Sequence, residues 1–320
     1  MLELDVLSRH SAYTDPNGPA EQNIGAVQQR SGILCDMTEK PRTARALAAA
    51  RAVALANSVA CEDAVVAAAG SNVLVHLKPA PVIARVMTGT AMLHGDVESW
   101  LAREVAVGAF LGGRGLAVPP SDVLAPGPHP YEGLWMTFWE FVERDASRPR
   151  PRAHELGGSL RELHAALADF PGELGPLRDV RDWLDRLLAE LHPSPRLTAL
   201  DRDLLRSRLQ ELTPTVFESS LPAQAIHGDA SISNLLRTPN GLIWNDLEDA
   251  CVGPVHWDVA GLIIDARAPG GSEAVVGDFL GAYGGLDPDE LNDFIEAHVV
   301  YTTVWQAFEA QRRRAAVRAQ

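Results

Sequence analysis

The chain has 320 residues, 46% of them hydrophobic and 22% charged, enough apolar material for two lobes and too much for a disordered chain. Its net charge of −14 and pI near 5.1 argue against nucleic acid or an anionic membrane as partner. Cys35, Cys61 and Cys251 form no CxxC pair, no basic n-region leads into an apolar core at the N-terminus, and no apolar run reaches the roughly 18 residues of a membrane span; the expected compartment is the reducing cytoplasm.

Residues 1–41 mix polar residues, Gly and Pro with little periodicity and read as an extension, partly ordered at best. The Ala-rich stretch Thr43–Asn57 predicts a helix. Two strands, Val73–Leu77 and Val82–Val86, flank the turn Lys78-Pro79-Ala80-Pro81. A helix over Ser99–Leu111 stops at Gly112-Gly113, and strands are expected at Ser121–Leu124 and Leu134–Val142. Beyond Glu143 the pattern turns helical, with candidates at Ala153–Leu167, Val180–His192 and Leu200–Leu212. Short strands surround Pro239-Asn240-Gly241, and the last long helix opens on Asp287, Pro288 and Glu290, a cap, a first-turn proline and a capping-box acid. These elements predict an α+β chain of two lobes, a small antiparallel sheet lobe at 42–142 and a mostly helical lobe at 143–320.

Chemistry concentrates at Ile226–Asn234 and Asp246. A hairpin symmetric about Asn240 places Asn234 opposite Asp246, so that two oxygen ligands converge at its open end. Magnesium favours such a site, with waters and substrate phosphates completing the octahedron. Asp229, on the loop before the hairpin, is placed to accept the proton of an attacking hydroxyl. A positioning carboxylate, a carboxamide and a metal-binding carboxylate are the parts of phosphoryl transfer.

His227-Gly228-Asp229 with Asn234, then Asp246-Leu247-Glu248-Asp249-Ala250, Gly253-Pro254 and Trp257-Asp258-Val259-Ala260, resembles the aminoglycoside phosphotransferase family, including its choline-kinase-like relatives. Over about residues 60–310 the resemblance implies a protein-kinase-like two-lobe fold using ATP and Mg2+. It implies Asp229 as catalytic base and Asn234 and Asp246 as metal ligands. Ser71, in Gly70-Ser71-Asn72, would lie on the phosphate loop. Arg85 would replace the phosphate-pairing Lys, with Glu104 as its anchor, and the backbone of Glu140–Val142 would meet adenine. His227 and Asp258 would brace the catalytic loop, and His164 would be structural. The chain departs from the family in Ala230-Ser231-Ile232-Ser233 and in the Arg at 85, which binds phosphate differently from an ammonium.

The resulting expectation is a kinase phosphorylating a hydroxyl of a small molecule, such as an aminoglycoside or another amine-bearing alcohol. Asp289, Asp293 and Glu296, on one helical face, are candidates for attracting the amine. The competing readings are a nucleotide-binding pseudokinase with a regulatory role, and a metal-dependent hydrolase built on His227, Asp229, His256 and Asp258.

Overall fold

Small residues start the fold. In helix α1 (Asp36–Ala56), Ala46, Ala49, Ala50, Val53 and Ala54 are buried, a single face at helical spacing. The computed structural model describes residues 36–90, 95–145, 147, 149–194, 197–267 and 273–318. The expected extension therefore ends earlier than residue 41, because 36–41 already belong to α1; its first 35 residues lie outside the described ones.

The face of α1 packs on a five-stranded antiparallel sheet made of β1 (Val65–Ala69), β2 (Val73–His76), β3 (Val82–Met87), β4 (His129–Tyr131) and β5 (Leu134–Glu140), in the order β1-β2-β3-β5-β4. Strand alternation divides the side chains between two faces. Val73, Val75, Val82, Ala84, Val86, Met136 and Phe138 join the α1 core. Leu74, Ile83 and Arg85 point to the opposite side and line a cleft. Helix α2 (Val97–Gly112) follows β3; the Asp96 carboxylate accepts from Ser99 N at 3.0 Å, and Gly113 N donates back to Ala109 O.

The expected strand at Ser121–Leu124 does not form. Pro119 and Pro120 have no N–H to extend a ladder, and the segment is tied to β5 through a Pro120–Trp139 bridge and Ser121 N to Phe138 O. Strands β1 and β4 escaped the sequence reading: one is three-fifths alanine, the other three residues containing a proline.

The second lobe holds α3 (Ala153–Leu167), α4 (Arg178–Glu190), α5 (Ala199–Leu212), α6 (His256–Ala266), α7 (Glu273–Tyr283) and α8 (Asn292–Arg318). Two small antiparallel pairs sit among them: β6 (Ala223–Ile226) with β9 (Cys251–Pro254), and β7 (Leu235–Thr238) with β8 (Gly241–Trp244). Leucines at helical spacing, such as Leu156, Leu160, Leu163 and Leu167 of α3, pack against Trp244, Val259 and Phe279. Each such fully buried side chain stabilises by about 1.5–3 kcal/mol. The last helix starts later than expected. Residues Pro288–Leu291 form a 3-10 turn capped by Asp287, and Glu290 faces His256 Nε2 at 3.4 Å instead of closing a capping box. Among the described residues no helix is long and apolar enough to cross a membrane.

Candidate active site

Two loops meet because β6 and β9 pair, Ile226 opposite Cys251. The chain leaves β6 into 227–231, makes a 3-10 turn at Ile232–Asn234 and enters β7; from β8 it returns through 245–250 to β9. The β7–β8 register corrects the sequence arithmetic. Leu235 pairs with Trp244 and Thr238 with Gly241, so the turn has two residues, Pro239 and Asn240. Asn234 therefore faces Asn245, whose N–H donates to its carbonyl at 2.9 Å, and Asp246 lies one residue beyond the ladder. There it takes φ +61, a left-handed conformation uncommon for a residue with a Cβ.

Gly228 joins the two loops. Its φ is +84, and a Cβ here would lie 1.9 Å from the Asp249 carbonyl oxygen. No side chain fits, which accounts for glycine at this position. Asp258 fastens the same loop from below. Its Oδ2 accepts from His227 N at 2.7 Å and faces His164 Nε2 at 2.9 Å, and its Oδ1 accepts from Gly228 N at 2.9 Å. His164 Nδ1 meets the Tyr283 hydroxyl, and Trp257 Nε1 donates to Gly228 O at 2.7 Å. Burial opposes the Asp258 charge, yet the His164 hydrogen bond and the neighbouring histidines and backbone N–H hold its carboxyl below the usual range.

Asn234 Nδ2 donates to both the carbonyl and Oδ2 of Asp229, at 2.8 and 2.9 Å. This commits the amide nitrogen and orients the Asp229 carboxyl. Burial, then Asp249 and Asp246, raise Asp229 well above the ordinary carboxylate range. Across the cleft, Arg85 Nη1 pairs with Glu104 at 2.6 Å, while Nη2 reaches Asp246 at 2.6 Å and Glu248 at 2.5 Å. One guanidinium from β3 thus links α2 to the 246–248 turn of the other lobe. Burial works against its charge, but Asp246, Glu104 and Glu248 push its pKa well above the normal value. Burial lifts Glu104 to about 7 and, with Asp246, lifts Asp249 to about 6.

These groups line one cleft of about 1190 Å³, somewhat larger than the usual small-ligand site. Ser71, Arg85, Glu104, Glu140, Val142, Asp229, Asn234 and Asp246 all border it. Glu140 is exposed, and its N–H and that of Phe141 are used by Pro119 O and Pro81 O. Asn72, buried beside Ser71, accepts from Thr88 N and Gly89 N and so fixes the loop.

Sequence reasoning missed another part of the cleft wall, to which α4 contributes Asp179, Asp182 and Trp183 and α8 contributes Tyr301 and Trp305. Trp183 lies 5.8 Å from Tyr301 and 5.6 Å from Trp305, ring centre to ring centre. The i, i+4 aromatic pair at 301 and 305 was the available signal. The acidic stripe expected to attract an amine lies elsewhere: Asp289, Asp293 and Glu296 do not border the cleft, and Glu296 is held by Arg208 at 2.8 and 2.5 Å. His256 also lies away from it, stacked on Phe294, which removes the geometry of the hydrolase reading. Among the described residues no group of three His, Cys, Asp or Glu side chains is arranged to hold a metal.

The profile of the phosphotransferase enzyme family matches residues 71–294. Comparison with curated proteins gives no match. Among solved structures the chain is similar to the GDP and kanamycin complex of APH(2")-IIia, with a TM-score of 0.62 at 19% identity over 83% of this chain and 92% of that one. It is similar also to choline kinase LicA from Streptococcus pneumoniae, with a TM-score of 0.59 at 13% identity over 84% and 99%. A third is amicoumacin kinase hAmiN in complex with AMP-PNP, Ca2+ and Ami, with a TM-score of 0.58 at 14% identity over 81% and 89%. The fold is thus the two-lobed, protein-kinase-like one. With the profile spanning both loops of the site and the strand that carries Arg85, the chain belongs to the phosphotransferase enzyme family.

Proposed function

We propose that this phosphotransferase moves the γ-phosphoryl group of ATP, with Mg2+, to a hydroxyl of a small amine-bearing molecule. The observation that carries the reading is the Asn234–Asp229 pairing beside Asp246 in one cleft. Asp229 orients the acceptor hydroxyl and takes its proton, a task suited to a carboxyl whose proton affinity is raised by burial. Asn234 and Asp246 fit magnesium: both offer hard oxygen, the Asn234 nitrogen is already committed to Asp229, and two protein ligands suffice for an ion that keeps waters and phosphates. When bound, magnesium supplies charge neutralisation at the transferring phosphates. Arg85 faces the α- and β-phosphates, held by Glu104; the loop at Ser71 covers them, and Glu140–Val142 border the base.

In this reading 42–142 covers the nucleotide and 143–320 carries the catalytic loop and the acceptor. The acceptor lies against Asp179, Asp182, Trp183, Tyr301 and Trp305, where carboxylates and aromatic faces both favour a cationic amine. The GDP, AMP-PNP and kanamycin named with the similar structures belong to those proteins, and they support a nucleotide and a small acceptor here. A cytoplasmic location accords with the free, buried Cys61 and Cys251.

Screening ADP release across aminoglycosides, choline-like amines, amino alcohols and neutral sugars tests the proposal. Turnover confined to amine-bearing alcohols and dependent on Mg2+ is the expected result. Turnover of neutral sugars alone refutes the acceptor class, and tight ATP–Mg2+ binding without turnover of any acceptor restores the pseudokinase reading.

A further inference from the structure

Asp246 keeps a left-handed backbone, φ +61, which a residue bearing a Cβ holds only where its surroundings enforce it. Two side chains hold carbonyls of the turn around it, one just before Asp246 and one two residues after. His227 Nε2 lies 3.1 Å from Asn245 O, from within the helical lobe. Trp100 Nε1 donates to Glu248 O at 2.7 Å, from α2 in the sheet lobe. Trp100 is buried and packs with Met87 and Leu101.

Glu104 stands one turn further along the same helix, so α2 reaches the 246–248 turn by two routes. The charged route runs through Glu104 and Arg85 to Asp246 and Glu248. That guanidinium is divided among three carboxylates, and the strength of each pairing depends on whatever charge enters the cleft. The neutral route is the single indole N–H, whose partner is a backbone carbonyl and whose strength does not depend on that charge.

We infer that Trp100 is a positioning residue, fixing the Asp246 carboxylate for the cation by holding the Glu248 carbonyl. The inference rests on the proposed assignment of Asp246 to magnesium. It gives α2, whose Trp100 also borders the cleft, a hold on the cation site through a backbone carbonyl that is not itself a proposed ligand.

ATP binding measured by calorimetry across a free-Mg2+ titration tests it, on the full chain, on Trp100→Phe, and on a protein whose Trp100 indole is replaced by benzothiophene. The last keeps the ring shape and removes only the N–H. In both variants the Mg2+ concentration giving half of the gain in ATP affinity is expected to rise roughly three- to tenfold, the worth of one neutral hydrogen bond. ATP affinity without metal and the thermal midpoint of the benzothiophene protein should match the unsubstituted chain. An unchanged Mg2+ response, or a loss of ATP affinity equal with and without Mg2+, overturns the inference alone. Absence of any Mg2+ response in the unsubstituted chain overturns the proposed function and the inference together.

Discussion

Asp258 offers the sharpest test of how the 227–231 loop is held. It is fully buried and holds two backbone N–H groups and the His164 ring at 2.7–2.9 Å. Asp258→Ala orphans both N–H groups in a site without water access. Bonds to a charged acceptor are worth about 1.5–3 kcal/mol each, and breaking a buried charged network typically costs 3–5 kcal/mol. The expected loss is about 4 kcal/mol for Ala. Asp258→Asn can still accept with one oxygen while its NH2 faces a donor on the other side, so about 2–3 kcal/mol is expected. Urea unfolding reads both as shifts of the midpoint at constant slope.

Acid gives an independent check on the same residue. The folded pKa of Asp258 is depressed, so its contribution is present above the unfolded value of about 3.9 and lost as pH falls through the folded value. Asp258→Asn should lack that part of the acid limb. Variants losing less than about 1 kcal/mol, or an acid limb identical in Asp258→Asn and the parent, would refute the argument.

Other outcomes follow from the same geometry. Gly228→Ala should cut kcat at least about a hundredfold while far-UV circular dichroism stays native, since a 1 Å displacement of catalytic groups costs that much and its Cβ collides with the Asp249 carbonyl. Asp229→Ala should abolish phosphate transfer and leave ATP–Mg2+ binding in calorimetry largely intact; equal loss of both contradicts its role as base. Asp246→Ala should weaken nucleotide binding and its Mg2+ dependence together, measured in the same titration. His298 is buried with its pKa depressed to about 4, so stability that is complete above about 6.5 should fall by up to about 3 kcal/mol as pH drops toward 4. In urea unfolding across pH, His298→Phe should flatten that slope.

The site was legible where chemistry is local in sequence. His227-Gly228-Asp229, Asn234 and Asp246 lie within twenty residues, and short-range spacing together with a turn signal placed them on one hairpin. The register error had a specific origin: Pro-Asn-Gly was read as a turn centred on Asn240, whereas Gly241 is already the first paired residue of β8. The Arg85–Glu248 contact, between β3 and the turn of the other lobe, has no sequence period to announce it. The aromatic wall at 183, 301 and 305 likewise arises from the packing of α4 against α8, which side-chain patterns on either helix alone do not encode. Short strands such as β6 and β9 depend on each other for their ladder, so neither shows the alternation that identifies a half-exposed strand.

The two-residue turn at Pro239-Asn240 limits which insertions a chain of this kind tolerates. Register in a hairpin is counted from the turn, and a slip of one residue sends every following side chain to the opposite face. A single insertion between Thr238 and Gly241 leaves every letter of both motifs in place and in order, yet can move Asp246 off the ladder position from which it now departs. A motif written as residues with tolerant gaps would accept such a chain. One written as a fixed separation between Asn234 and Asp246 would reject it, and so reads geometry as well as composition.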